Sequence, residues 1–111
     1  MNVVNCVTGR FSNRGKALTL YRRGMARAKK HDREGAIDDY TATIGMPNTP
    51  ANVRAMALYN RALVLVATGD NQKGVADLNA VLAMDESPSN VKTKAREKLA
   101  KIETRSRDRN A

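Results

Sequence analysis

The sequence predicts an all-α protein built from antiparallel helix hairpins, and three observations carry that prediction. Apolar residues recur at helical spacing along most of the chain, no stretch alternates as a strand would, and one segment design occurs twice. Its two copies are "HDREGAIDDYTATIG" (His31–Gly45) and "GDNQKGVADLNAVLA" (Gly69–Ala83). Each sets a small residue, Ala36 or Gly74, four positions before a larger apolar one, Tyr40 or Leu78.

The elements follow in order. Residues 1–12 have no clear period and are expected to be irregular. From about Ser12, the residues Ala17, Leu20, Tyr21, Gly24, Met25 and Ala28 gather on one side of a first helix, edged by a stripe of Lys16, Arg23, Arg27 and Lys30. Lys29, Lys30 and His31 suit the negative end of that helix. Asp32 is the expected N-cap of a second helix, with Glu34 behind it and Ala36, Ile37, Tyr40 and Ile44 on the apolar side. Gly45 is expected to end it, and Thr49-Pro50 to cap and open a third helix over about 50–68. That helix contains "ALVLVA" and is apolar nearly all round, as a helix buried between neighbours should be. Gly69 stops it, and Asp70 caps a fourth helix reaching about Met84. Ser87-Pro88 opens a fifth, whose Val91, Ala95, Leu99 and Ile102 form one stripe. Residues 105–111 are polar and expected to fray.

Composition narrows the function. A chain of 111 residues, 41% of them hydrophobic, has room for one domain with a modest core. The aromatic residues are Phe11, Tyr21, Tyr40 and Tyr59, with no Trp, which disfavours a stacking platform for single-stranded nucleic acid. Cys6 and His31 are single representatives of their types, so the chain cannot build a disulfide framework or a zinc cluster by itself. No signal peptide and no transmembrane run is read, and a soluble, reduced, cytoplasmic protein is the expectation. The net charge of +9 is unevenly spread: residues 1–31 carry +8, residues 32–91 carry −4 and residues 92–111 carry +5.

Sliding the chain along itself until His31 meets Gly69 aligns the first two helices with the next two. Ala17, Leu20, Tyr21, Arg23, Asp32, Asp39, Ala42 and Met46 meet identical residues, and small meets small at Gly24/Ala62 and Ala36/Gly74. Small residues at matching places on both arms of a hairpin let the two backbones approach closely. With Leu20-x2-Arg23-Gly24 and Ala36-x3-Tyr40 in one copy, and Leu58-x2-Arg61-Ala62 and Gly74-x3-Leu78 in the other, the chain resembles the tetratricopeptide repeat family. Arg23 and Arg61 stand where that family has Leu, and Arg27 where it has Tyr. The resemblance implies a short right-handed superhelix within residues 13–103: repeat one over about 16–46, repeat two over about 50–84, and a capping helix over about 88–104. A five-helix bundle of related hairpins is the alternative architecture.

No constellation in the sequence supports catalysis, a cofactor or a metal. Asp38 and Asp39 are adjacent and point about 100° apart, so they do not face each other as an acid–base pair. With Asp70 and Asp77 they are expected on a solvated outer face. His31 reads as an exposed helix-end residue, and Cys6 has no partner that would make it a nucleophile. "GRFSNRGK" (Gly9–Lys16) lacks the spacing of a phosphate loop. The expectation is a noncatalytic protein-interaction module, a scaffold or adaptor.

The resemblance implies a concave groove lined by Leu18, Tyr21, Arg22, Met25 and Lys29 of the first helix. Met56, Tyr59, Asn60, Leu63 and Val66 of the third would join them, with Asn90, Thr93, Lys94 and Glu97 of the fifth. The residues expected to matter most are Tyr21, Arg22, Met25, Lys29, Tyr59, Asn60, Leu63 and Lys94, receiving an acidic peptide or partner segment with an apolar anchor. Of the family's carboxylate-binding clamp only Asn60 is present, with Lys94 a basic substitute. The tyrosines and Met25 could equally be core. Two further readings stay open: association with nucleic acid through the basic ends, and self-association that extends the short array.

Overall fold

A computed structural model describes the backbone of residues 2–110 and the side chains of residues 15–110. The helices are α1 (Asn2–Lys29), α2 (Arg33–Gly45), α3 (Ala51–Ala67), α4 (Asn71–Ala83) and α5 (Ser89–Asn110), and the described residues contain no strand. The fold is all-α, made of antiparallel hairpins stacked on one another. The Cys6 thiol and the Phe11 ring lie outside the described side chains.

Helix ends are set by short local signals. Asp32 caps α2 by accepting a hydrogen bond from Gly35 N at 3.1 Å, and Asp70 caps α4 by accepting one from Lys73 N at 3.1 Å. The turns before them close alike. His31 N donates to Ala28 O and Asp32 N to Arg27 O, while Gly69 N donates to Val66 O and Asp70 N to Leu65 O. Both turns need a left-handed residue, with φ of 63° at His31 and 95° at Gly69. Glycine adopts that conformation without penalty and histidine does not. His31→Gly should therefore stabilise the chain by about 0.5–1 kcal/mol, measured by urea denaturation, and Gly69→Ala should cost a similar amount.

Several boundaries differ from the sequence reading. Residues 2–12 are helical, because no proline interrupts α1 before Lys29. That places Gly9–Lys16 inside a helix. The tail also stays helical to Asn110, helped by an i,i+4 pair between Arg107 and Glu103. Gly45 is the last residue of α2, and the chain reverses at Asn48, where φ is 65°. Thr49 does not cap α3; Pro50 holds that position without a side-chain bond. The Thr49 hydroxyl instead donates back to Thr43 O at 2.9 Å, and the Ser87 hydroxyl donates to Val81 O at 2.7 Å. Each buried hydroxyl ties an inter-hairpin loop to the last turn of the helix before it.

Two layers result. α1, α3 and α5 lie side by side in one layer, while α2 packs on α1 and α3, and α4 on α3 and α5. α3 divides its apolar surface between two clusters. Val53, Ala57 and Val64 join Tyr21, Ala36 and Tyr40 of the first hairpin. Ala55, Leu58 and Ala62 join Leu78 and Val81 of α4 and Val91, Ala95 and Ile102 of α5.

The fifth helix is a third copy of the first helix of a repeat. "TPANVR" (Thr49–Arg54) returns at the same repeat offset as "SPSNVK" (Ser87–Lys92). Val91, Ala95 and Ile102 are the counterparts of Val53, Ala57 and Val64, and all six are buried against the preceding hairpin. The surface that α3 gives to its own partner helix is polar in α5: Ala55, Leu58 and Leu65 correspond to Thr93, Arg96 and Glu103, all exposed. α5 therefore keeps the stacking face of the first helix of a repeat and lacks its apolar pairing face.

Each hairpin is stapled by an ion pair at the same repeat position. Arg23 donates through Nε and Nη2 to both carboxylate oxygens of Asp39, at 2.9 and 2.8 Å. Arg61 does the same to Asp77 at 2.8 and 2.7 Å. Asp39 and Asp77 are buried, so the expectation that both lie on a solvated outer face is corrected. An arginine stands at each of these positions because a buried carboxylate needs a fork-shaped cation facing it. The Lys16/Arg23/Arg27/Lys30 stripe divides accordingly: Arg23 and Arg27 turn toward Asp39, while Lys16 and Lys30 remain exposed. Asp38 does not share the burial of its neighbour.

Candidate functional site

The α1/α3/α5 layer carries a shallow cleft where the three helices meet. Its walls are Tyr21 from α1, Met56, Tyr59 and Asn60 from α3, and Asn90, Val91 and Lys94 from α5. The cleft's volume is about 120 Å³, roughly four water molecules at about 30 Å³ each. Pockets for drug-sized ligands start at roughly 300 Å³. This surface therefore suits a side chain of a larger partner better than a free small molecule.

Tyr21 and Asn60 join the two hairpins at this point. Asn60 Nδ2 donates to the Tyr21 hydroxyl at 2.9 Å, across 39 residues of sequence. Burial pushes the Tyr21 phenol above its ordinary pKa, partly offset by the Asn60 bond. The Tyr59 phenol is also raised, first by burial and then by the negative charge of Glu97. Tyr40, outside the cleft, is nearly inaccessible and is pushed up to about 12, chiefly by desolvation. Its ring lies 6.1 Å from that of Tyr21, at a tilt of 46°.

Of the eight residues expected to matter most, Tyr21, Tyr59, Asn60 and Lys94 come together in the cleft, joined by Met56 and Asn90 from the wider expected groove. Arg22 and Lys29 are exposed on α1 but do not line it. Met25 is half-buried against the core of the first hairpin, and Leu63 is half-buried outside the cleft. Tyr21 serves both purposes: its ring belongs to that core and its hydroxyl reaches the cleft. Tyr59, half-buried, is the most accessible of the described aromatic rings.

Two other depressions were not foreseen. One, of about 280 Å³, lies on the opposite side among Ile37, Thr41, Arg61, Leu65, Lys73, Ala76 and Asp77. Its arginine is already engaged, through Nε and Nη2 with Asp77 and through Nη1 with the Thr41 hydroxyl at 3.0 Å. The other, of about 180 Å³, opens between α3 and α5 and is lined by Val66, Gly69, Asn71, Ile102, Arg105 and Arg109. Both arginines fall in the segment expected to fray.

The described residues hold no group of three or more side chains suited to bind a metal. None of the described helices is long and apolar enough to cross a membrane. No family model, no curated protein and no solved structure matches this chain.

Proposed function

We propose that this chain is a noncatalytic protein-interaction module, a tetratricopeptide-like adaptor whose α1/α3/α5 face receives an acidic, extended segment of a partner protein. The observation that carries the reading is the convergence of Tyr21, Tyr59, Asn60 and Lys94, from three helices, on one shallow cleft. Charge supports it, since α1 and α5 are the most basic helices and the cleft lies between them. Tyr59 offers a half-buried ring for an apolar anchor, and Lys94 a cation at its rim.

A displayed random-peptide library tests this. Selected peptides should be rich in Asp and Glu with an aliphatic or aromatic residue. Their binding should fall at least tenfold with Lys94→Glu, while the circular dichroism spectrum and melting temperature stay unchanged. Selection of neutral or basic peptides, or indifference to Lys94→Glu, would overturn the reading. The basic ends also admit nucleic acid, which would show sequence-tolerant binding with a steep salt dependence.

A further inference from the structure

The cleft described above occupies one end of a longer feature on α5. Lys94, Lys98, Lys101, Arg105 and Arg109 follow one another at intervals of three or four residues. At about 100° per residue they fall within roughly 80° of helix surface, a nearly straight row of cations parallel to the axis. None of the five enters an ion pair among the described residues, whereas Arg107 on another side of α5 pairs with Glu103. Like charges three and four residues apart on a helix repel one another. Glu97, three residues from Lys94 and four from Lys101, and Asp108, three from Arg105, offset part of that repulsion, and a bound anion would relieve the remainder.

Both clefts between α3 and α5 lie on this row. Lys94 rims the first, and Arg105 and Arg109 line the second above a floor of Val66 and Ile102. Lys94 and Arg105 are separated by about 16 Å at 1.5 Å per residue, which an extended peptide spans in about five residues at 3.3 Å each.

Resting on the groove reading above, we propose that α5 binds an extended acidic peptide lengthwise. Carboxylates at alternate positions meet the cations of the row. One apolar side chain enters the Tyr59 cleft and another enters the Val66/Ile102 cleft, where Arg105 and Arg109 clamp a terminal carboxylate or an acidic side chain. A peptide fits better than nucleic acid for two reasons. Tyr21 and Tyr40 are buried, which leaves no succession of exposed rings among the described residues for bases to stack on. Glu97 and Asp108 also project along one edge of the row, where they repel a broad polyanion but leave a track for a single narrow chain.

The test is fluorescence anisotropy of the full chain with a labelled peptide of alternating glutamate and leucine, across a salt series. The double variant Arg105→Glu/Arg109→Glu should weaken binding at least tenfold and flatten the salt dependence. Arg96→Glu, on a different side of α5, should change it less than twofold. Wild-type binding by the double variant together with loss in Lys94→Glu would overturn the lengthwise track and leave the groove reading standing. Equal losses in Arg96→Glu and the double variant would overturn it as diffuse charge attraction. Equal or tighter binding of oligothymidylate of matched charge would overturn it in favour of nucleic acid. Absence of binding by the wild type would overturn the track and the groove reading together.

Discussion

Gly24→Ala is expected to destabilise the chain by about 1–2 kcal/mol, and the same substitution is expected to stabilise it once Tyr40 has been replaced by leucine. The added methyl at position 24 would lie 2.7 Å from Tyr40 Cε1 and 2.9 Å from Cδ1, well inside contact distance. The ring cannot swing away, because Tyr40 is only 1% exposed and is wedged beside Tyr21. Relief must come from moving α1 away from α2, which strains a close-packed core. Against that cost stands a gain of about 0.5–1 kcal/mol from replacing glycine within a helix. The second hairpin shows the alternative solution, with Ala62 and Leu78 at the matching positions, both fully buried. Tyr40→Leu alone empties the space of a ring and should cost about 2–3 kcal/mol. In that background the methyl added at position 24 meets no ring, only Asp39 Cβ at 3.3 Å, which a shift of a few tenths of an ångström relieves, and the helix-propensity gain outweighs that contact. Urea denaturation of the four proteins measures the coupling. Destabilisation by Gly24→Ala in both backgrounds would show that the ring is not what excludes the methyl.

The same trade between neighbours recurs elsewhere and explains why the repeat is easier to read as a pattern than as a list of identities. A methyl at Gly74 would meet Val66 Cγ2 at 2.6 Å, and the first hairpin has Ala28 and Ala36 in these places. Volume moves between the two arms while the sum stays similar, so the small positions marked in the sequence fall where the backbones approach. The five helices and their order were legible because caps and periodicity are local. What could not be read locally was the direction of side chains that pair between the two arms of a hairpin. Asp39 and Asp77 looked like surface charge because no local signal ties Arg23 to Asp39, and only the recurrence of both residues at one spacing hints at it. Six of the expected groove residues, Tyr21, Met56, Tyr59, Asn60, Asn90 and Lys94, meet in one cleft because helical spacing sets them on the faces that α1, α3 and α5 share. Met25 and Leu63 do not line it, and the Arg105/Arg109 cleft was hidden by expecting a polar tail to fray.

Asp77→Ala should cost about 2 kcal/mol, more than any exposed charge on this chain. The partner it strands is the reason. Arg61 is mostly enclosed, with 21% of its side chain accessible, and loses two short charge-assisted bonds while keeping only that to Thr41. Asp77 raises the pKa of the Arg61 guanidinium in the intact pair. Even without that help an arginine stays protonated throughout the pH range of folded proteins, so the stranded cation cannot neutralise itself in response. Exchanging both partners for apolar residues, Arg61→Leu with Asp77→Ala, removes the stranded charge and should recover at least half of the loss. The other staple should be felt more through pH. Arg23 is 54% exposed and tolerates losing its partner, but Asp39 is buried. Hydrogen bonds from Arg23 hold the Asp39 carboxyl below its ordinary range, against the opposing effect of burial. A carboxyl whose pKa is lower in the folded chain contributes stability that is complete above the unfolded value, about 3.9. That contribution is lost as the pH falls through the folded value, because the unfolded chain binds the proton first. Stability measured between about pH 6 and pH 2 should therefore fall less steeply in Asp39→Asn than in wild type. An equally steep fall would mean that other carboxylates govern acid unfolding and that the Arg23–Asp39 staple orients the hairpin without coupling it to pH.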